Sequence, residues 1–383
     1  MRRWILLAMF VASVLPASAR VTVAQLEQTL TRTLAGHKSD AEISRQLRVL
    51  ELSERLTEPS LDRLAAQLTL GPLTVQALQL LADQSAFLEP PANEIPAMAP
   101  PDGTTQQRML DAARNYGAQI LLHLPNLLAT QTTKYFDDSP QQLGENAWPV
   151  RSGLHLVGTS SREISVRVDR ESLSSSPPSR ARQEEPGGVL TSWGEFGPLL
   201  IMILTDTANG KISWSHWEEI ATTPVAVFHY LVPRAFSHYD VAGSRHQYVP
   251  VEIGSPTIPS GGFGLRQGLD VSRTTPYRIT PGYHGSIWLD PANGVILRIS
   301  IQADLKDRDP VKRADTLVQY GPVSISGRSF FCPVRSVALH MDPIDPNDTS
   351  GAAPILKLNE TQFTGYHRFA STARILTDPT EEK

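Results

Sequence analysis

The chain has very little cysteine and no cluster of basic residues. Cys332 is the single cysteine among 383 residues, so an internal disulfide is excluded and a hydrophobic core must hold the fold. It lies in the apolar segment 330–334, away from the electropositive setting that activates a thiol, and we predict a buried, inert side chain. Basic and acidic residues number 35 and 39, without the basic face that nucleic acid requires. We therefore expect no nucleic-acid partner.

Long apolar runs are also scarce, and the one exception is at the N-terminus. Two arginines at positions 2 and 3 precede the apolar run Trp4–Leu15, and Pro16 and small residues up to Ala19 follow it. This pattern predicts a signal peptide over residues 1–19, cleaved near Ala19. Removing the two arginines leaves 33 basic and 39 acidic residues, a net charge of −6. We expect an exported protein, periplasmic or secreted, that is peripheral to a membrane at most.

Residues 20–88 are predicted to form a small helical module. Leu26, Leu30 and Leu34 repeat at intervals of four, and three later sets of apolar residues also lie on one helix face. Four short helices account for this spacing. The expected boundary residues are Thr22 and Ser39 as N-caps, Gly36 and Gly71 at C-termini, and Pro59 and Pro72 in first turns.

Residues 89–103 contain five prolines, which predicts a semi-rigid linker. A longer helix is expected over residues 105–124, and it opens the last domain, residues 104–383. From Ala129 onward the apolar residues alternate with period two, which is typical of strands. The segments 171–188 and 254–268 are rich in serine, proline or glycine and are predicted to be mobile loops.

Two hairpins are well marked in this β-region. One spans 285–303 with its turn at Asp290–Gly294, and the next turns at 326–328 between strands ending at Ile325 and beginning at Ser329. A final pair of strands is expected at 355–358 and 362–369. The fold class is therefore α+β: a helical N-terminal module, then an antiparallel β-meander arranged as a half-barrel or a sandwich.

Known catalytic and binding motifs fit this sequence poorly. The segment 158–162 lacks the last glycine of a Gly-x-Ser-x-Gly elbow, and the glycine-rich segment 261–268 has Gln267 where a dinucleotide loop needs glycine. Asp342, Asp345 and Asp348, with Asn347, form an acidic loop without the spacing of a calcium loop. Aromatic residues on the β-segments are expected in the core. We predict no catalytic, cofactor-binding or metal-binding residues from these motifs.

A site assembled from scattered residues is the alternative. His216, Glu218 and Glu219 lie close together in sequence, but they fall short of the three or four convergent ligands of a zinc site. If the protein is an enzyme of hydrolase type, the first residues to consider are His216, Glu218, His238, Asp240 and His284.

The β-region, over residues 105–376, resembles a group of uncharacterised exported bacterial proteins. That resemblance implies no activity. The residues that carry it are Asn126–Thr132, Gly194–Gly197, Trp214–Trp217, Gly285–Asp290 and Phe369–Ala373.

The order of a helix followed by a meander, with the hairpin Gly285–Ile299, also resembles the periplasmic lipoprotein-carrier fold. That resemblance implies a half-closed barrel that binds an acyl chain or another apolar group without catalysis. We therefore expect an exported protein that binds an apolar small molecule or an envelope protein and is not an enzyme. An envelope structural protein is a further alternative, and the oligomeric state stays open.

Overall fold

The computed structural model describes residues 20–141, 150–166, 194–220, 222–251, 269–342 and 354–368. The predicted signal peptide lies outside these ranges, as do the two predicted loops. The chain divides into two compact units, Met1–Pro91 and Ala92–Lys383. We call them the helical unit and the sheet unit.

The helical unit contains the four predicted short helices. Leu26, Leu30, Ile43, Leu64 and Leu78 are buried together in its core, which uses the apolar stripes seen in the sequence. Thr22 and Ser39 both form capping boxes, as predicted for N-caps. The helices are α1 (Val23–Ala35), α2 (Asp40–Arg48), α3 (Glu58–Gln67) and α4 (Pro72–Ser85).

Gly71 does not close a helix C-terminus, so that prediction is wrong. It is the N-cap of α4 and has no side chain to cap with. Asp40 supplies the cap instead: its carboxylate accepts hydrogen bonds from the Leu73 and Thr74 N–H groups, both at 2.9 Å. A Cβ on Gly71 would lie 2.3 Å from the Asp40 Cγ, so glycine here makes room for a cap that comes from another helix.

We expect Asp40→Asn to lower the melting temperature of the helical unit at pH 7 by a few degrees. The hydrogen bond from the Thr74 hydroxyl, with those from the Leu73 and Thr74 amides, lowers the pKa of Asp40. A lowered folded-state pKa gives stability that is present above the unfolded-state pKa and is lost as pH falls through the folded value. The difference from wild type should therefore shrink in acid. Thermal melts followed by far-UV circular dichroism at neutral and acid pH measure this difference in melting temperature. Asp62→Asn, at an exposed position of α3, is the control.

The sheet unit is built on one open nine-stranded antiparallel sheet. Its strand order is β2-β1-β11-β10-β9-β8-β7-β4-β3, and β5 pairs with β6 in a separate ribbon. This confirms the α+β class and the antiparallel sheet. The strands are β1 (Leu127–Asp137), β2 (His155–Val166), β3 (Lys211–Ile220), β4 (Thr223–Val232), β5 (Val241–Val251), β6 (Leu269–Ile279), β7 (Gly282–Leu289), β8 (Ile296–Asp304), β9 (Arg313–Ile325), β10 (Arg328–Met341) and β11 (Leu356–Arg368).

Both predicted hairpins form, as β7–β8 and β9–β10. The final strand pair does not: residues 356–368 form the single strand β11, which pairs with β1 on one side and β10 on the other. The buried residues Asn359, Glu360 and Thr361 continue the strand where we expected a turn. A turn would have left these backbone groups in the middle of the sheet without ladder partners.

Among its described residues the sheet unit has two α-helices, α5 (Gly103–His123) and α6 (Pro198–Asp206). The sequence predicted α5 but not α6, because a short apolar run has no periodicity that separates a buried helix from a buried strand. Gly197, with φ of 131°, and Pro198 at the first turn start α6. None of the described helices is long and apolar enough to cross a membrane.

Helices α5 and α6 share a hydrophobic core with one face of the sheet. We call this face the helix face. Met109 and Ala113 of α5 and Leu200 and Ile203 of α6 are buried there. The strand residues of this core include Phe228, Tyr230, Tyr283, Ile287, Ile299 and Val318. Val225, Val227 and Trp288 form a separate buried cluster. Because strand side chains alternate between faces, that cluster belongs to the opposite face.

Candidate functional site

The five residues considered for a scattered site do not converge. His216 Nε2 lies 2.9 Å from Glu218 Oε1, so these two are joined by a hydrogen bond. His238 instead bonds to Asp206 at 2.6 Å, and His284 to Asp304 at 2.7 Å. Asp240 accepts hydrogen bonds from Arg278 and Thr280. The structure thus places the five residues in four separate polar contacts.

Two other predictions concern Cys332 and the acidic loop. Cys332 is fully buried, and burial raises its pKa to about 12, as expected for an inert thiol. Burial disfavours the charge of Asp342, but the hydrogen bond from His340 and the charge of Lys357 lower its pKa to about 2. The rest of the acidic loop and the glycine-rich segment 261–268 lie outside the described residues.

A β-bulge in β3 brings polar side chains together opposite the helix face. The register of β3 on β4 shifts between Trp214 and His216, which leaves Ser215 as the extra residue. In such a bulge two consecutive side chains can lie on one side of the sheet. Ser215 and His216 do so here, since the Ser215 oxygen lies 2.7 Å from His216 Nδ1.

The bulge starts a continuous chain of hydrogen bonds across three strands, which we call the polar array. Ser215 Oγ is also 2.8 Å from His229 Nε2 on β4. His229 Nδ1 in turn lies 2.8 Å from the Ser286 hydroxyl on β7. The array consists of Glu218, His216, Ser215, His229 and Ser286.

The direction of each hydrogen bond in the polar array follows from its carboxylate end. Ionised Glu218 only accepts, so His216 Nε2 carries the proton and its Nδ1 accepts from the Ser215 hydroxyl. The Ser215 oxygen then accepts from His229 Nε2–H, and His229 Nδ1 accepts from Ser286. With neutral rings all the protons point toward Glu218, so the array can pass a proton in that direction.

The helix face carries a different feature, a set of buried phenol groups. The hydroxyl oxygens of Tyr116, Tyr277 and Tyr320 are buried and have no hydrogen-bond partner among the described residues. Tyr320 is only 6% exposed and belongs to the helix-face core, against which Tyr116 and Tyr277 also pack. By contrast, the Tyr230 hydroxyl on the same face donates to the Ser300 carbonyl at 2.7 Å.

Tyr116 lies close enough to Tyr320 to affect its pKa. Burial, followed by the nearby carboxyl group of Glu195 and the Tyr116 hydroxyl, raises the pKa of Tyr320 well above its ordinary value. Burial likewise raises the pKa of Tyr116 to about 12. Both phenols therefore stay protonated at physiological pH and can act as hydrogen-bond donors.

The sequence did not single out His229 or the tyrosines as a set, and it named Ser215 and Ser286 without joining them in one site. A β3–β4 hairpin predicts that residues near 216 and 229 are neighbours, but the side chains that meet depend on the bulge at Ser215. No family model matches this chain, nor does any curated protein or solved structure.

Proposed function

We propose that the sheet unit binds an amphipathic small molecule, with an acyl or similar apolar chain, between the helix face and the helices α5 and α6. The observation that carries the proposal is the pair of protonated, buried hydroxyl groups of Tyr116 and Tyr320, which have no hydrogen-bond partner among the described residues and pack in or against the helix-face core. The resemblance to lipoprotein carriers leads to the same kind of ligand, and export to the periplasm or outside the cell is part of the proposal.

The energetic reason is the cost of an unsatisfied hydroxyl group. A buried donor without a partner costs about 1–3 kcal/mol. A protein that retains such groups in its core has a reason to do so when a ligand supplies the missing acceptor. The apolar residues around the phenols, Ala113, Val318 and Cys332 among them, would contact the chain of the ligand.

The carboxyl group of Glu195, which lies near the Tyr320 hydroxyl, indicates whether the ligand's polar group is charged or neutral. Glu195 is only 4% exposed and lies close enough to Tyr320 to affect its pKa. A second carboxylate brought beside it would be repelled in a poorly solvated site. We therefore expect a neutral acceptor such as an ester carbonyl, and we expect monooleoylglycerol to bind more tightly than oleate.

The test is displacement of a fluorescent acyl probe by monooleoylglycerol, measured for wild type and for Tyr320→Phe. Losing one hydrogen bond of about 1 kcal/mol should weaken binding about fivefold. The ligand-free variant should be as stable as wild type or slightly more stable, because the unsatisfied group is gone.

Tyr230→Phe is the matched control, because its hydroxyl already has a partner in Ser300. It should lose about 1 kcal/mol of stability and leave the affinity unchanged. The proposal is wrong if the wild-type protein binds no acyl probe, or if Tyr320→Phe destabilises the free protein without changing the affinity.

A further inference from the structure

Two imidazole rings on adjacent strands face one shared point in the polar array. His216 Nδ1 is 2.7 Å and His229 Nε2 is 2.8 Å from the same oxygen, Ser215 Oγ. A ring nitrogen of His216 lies within 4.8 Å of a ring nitrogen of His229. Two nitrogens and a hydroxyl oxygen therefore converge, although the residues are separated in sequence by the β3–β4 turn.

The other nitrogen of each ring is bonded to an oxygen. His216 Nε2 donates to Glu218 Oε1 at 2.9 Å, and His229 Nδ1 lies 2.8 Å from the Ser286 hydroxyl. Metal-binding histidines almost always use their second nitrogen in this way, because the bond fixes the tautomer and aims the free lone pair. The Ser286 hydroxyl is also positioned by its strand, since the Ser286 N–H donates to Ser300 Oγ at 3.0 Å.

We propose that His216, His229 and Ser215 bind one divalent transition-metal ion such as Zn²⁺ between the two rings. Imidazole nitrogen is a ligand that zinc, copper and nickel share. Tetrahedral zinc with bonds of 2.0–2.1 Å brings two nitrogens to about 3.4 Å from each other, so the two rings must close on the metal. Water completes the coordination.

The site forms when His229 changes tautomer and the Ser215 and Ser286 hydroxyl groups turn their protons away from His216 Nδ1 and His229 Nδ1. His216 already turns an unprotonated Nδ1 toward the shared point, because Glu218 holds the proton on Nε2. His229 must place its proton on Nδ1, where it donates to the Ser286 oxygen and frees Nε2 for the metal. The sequence argued against zinc because too few ligands converge, and the fold brings His229 beside His216, a pairing that the sequence did not indicate.

The experiment is calorimetric titration of the untagged, chelator-treated full chain with Zn²⁺, supported by Co²⁺ absorption spectra that report coordination. We expect one equivalent to bind. His216→Gln and His229→Gln should each weaken binding by more than about 100-fold, and Glu218→Gln, which only positions His216, by about 10-fold. Ser215→Ala should bind within a few-fold of wild type, because the two nitrogens remain.

His284→Gln is the control, since His284 pairs with Asp304 near the protein surface. It should leave zinc affinity unchanged, and circular dichroism of each variant without metal should match wild type. Absence of a bound equivalent in the native chain, or binding that survives both histidine substitutions, would overturn the metal site. Neither result affects the acyl-ligand proposal, which concerns the other face of the sheet.

Discussion

Replacing Gly294 with alanine is expected to destabilise the sheet unit by about 3 kcal/mol or more. Gly294 ends the β7–β8 turn at φ of 75°, where a side chain is strained. A Cβ at this position would also lie 2.4 Å from the Ala112 carbonyl carbon and 2.6 Å from the Ala113 N of α5. Because both contacts are with helix backbone, relief requires moving α5 away from the helix-face core.

Gly327→Ala is the matched control for Gly294→Ala. Gly327 lies in the β9–β10 turn at φ of 78°, but a Cβ there meets nothing within 4 Å. It should cost only the backbone strain, about 1–2 kcal/mol. Urea denaturation followed by tryptophan fluorescence measures the stability of both variants. The fluorescence reports on the sheet unit, because residues 20–91 contain no tryptophan. Equal losses for the two variants would show that α5 does not constrain the turn.

Asp206→Ala is expected to cost about 3 kcal/mol of stability in the sheet unit. Asp206 ends α6 and is only 2% exposed. Its carboxylate accepts hydrogen bonds from the Tyr283 hydroxyl and the His238 backbone N–H, both at 2.9 Å, and from His238 Nδ1 at 2.6 Å. Alanine would leave the fully buried Tyr283 with an unsatisfied hydroxyl group.

A double variant separates the cost of the unsatisfied Tyr283 hydroxyl from the rest of the stability loss caused by Asp206→Ala. Adding Tyr283→Phe to Asp206→Ala should recover about 1 kcal/mol or more, because no unpaired donor then remains at position 283. Asp304→Ala is the control: it removes another histidine–aspartate pair, whose side chains are 45% and 43% exposed, and should cost less than about 1 kcal/mol. A loss for Asp206→Ala no larger than that of Asp304→Ala would contradict the prediction.

Helix caps and turn residues could be predicted from the sequence where the groups that they bond to lie only a few residues away. Thr22 and Ser39 cap helices because their hydroxyls bond to amides three residues away. The turn at 290–294 forms because Asp290 and Asn293 bond within it. Gly71 was misplaced because its role depends on Asp40 from another helix. Helix α6 was missed because its sequence is apolar at every position from Pro198 to Leu204, which leaves no period to detect.

Sequence patterns alone predicted the α+β class, the four short helices, α5, the two hairpins and the buried state of Cys332. These follow from the spacing of apolar residues and from turn and cap chemistry, which act over a few positions. The order of the nine strands in one sheet, with β1 beside β11, depends on pairing between distant segments that no local signal encodes. The same holds for the approach of His229 to His216 through Ser215, and of Tyr320 to Tyr116, because such contacts depend on strand register, a bulge and helix packing between residues far apart in the chain.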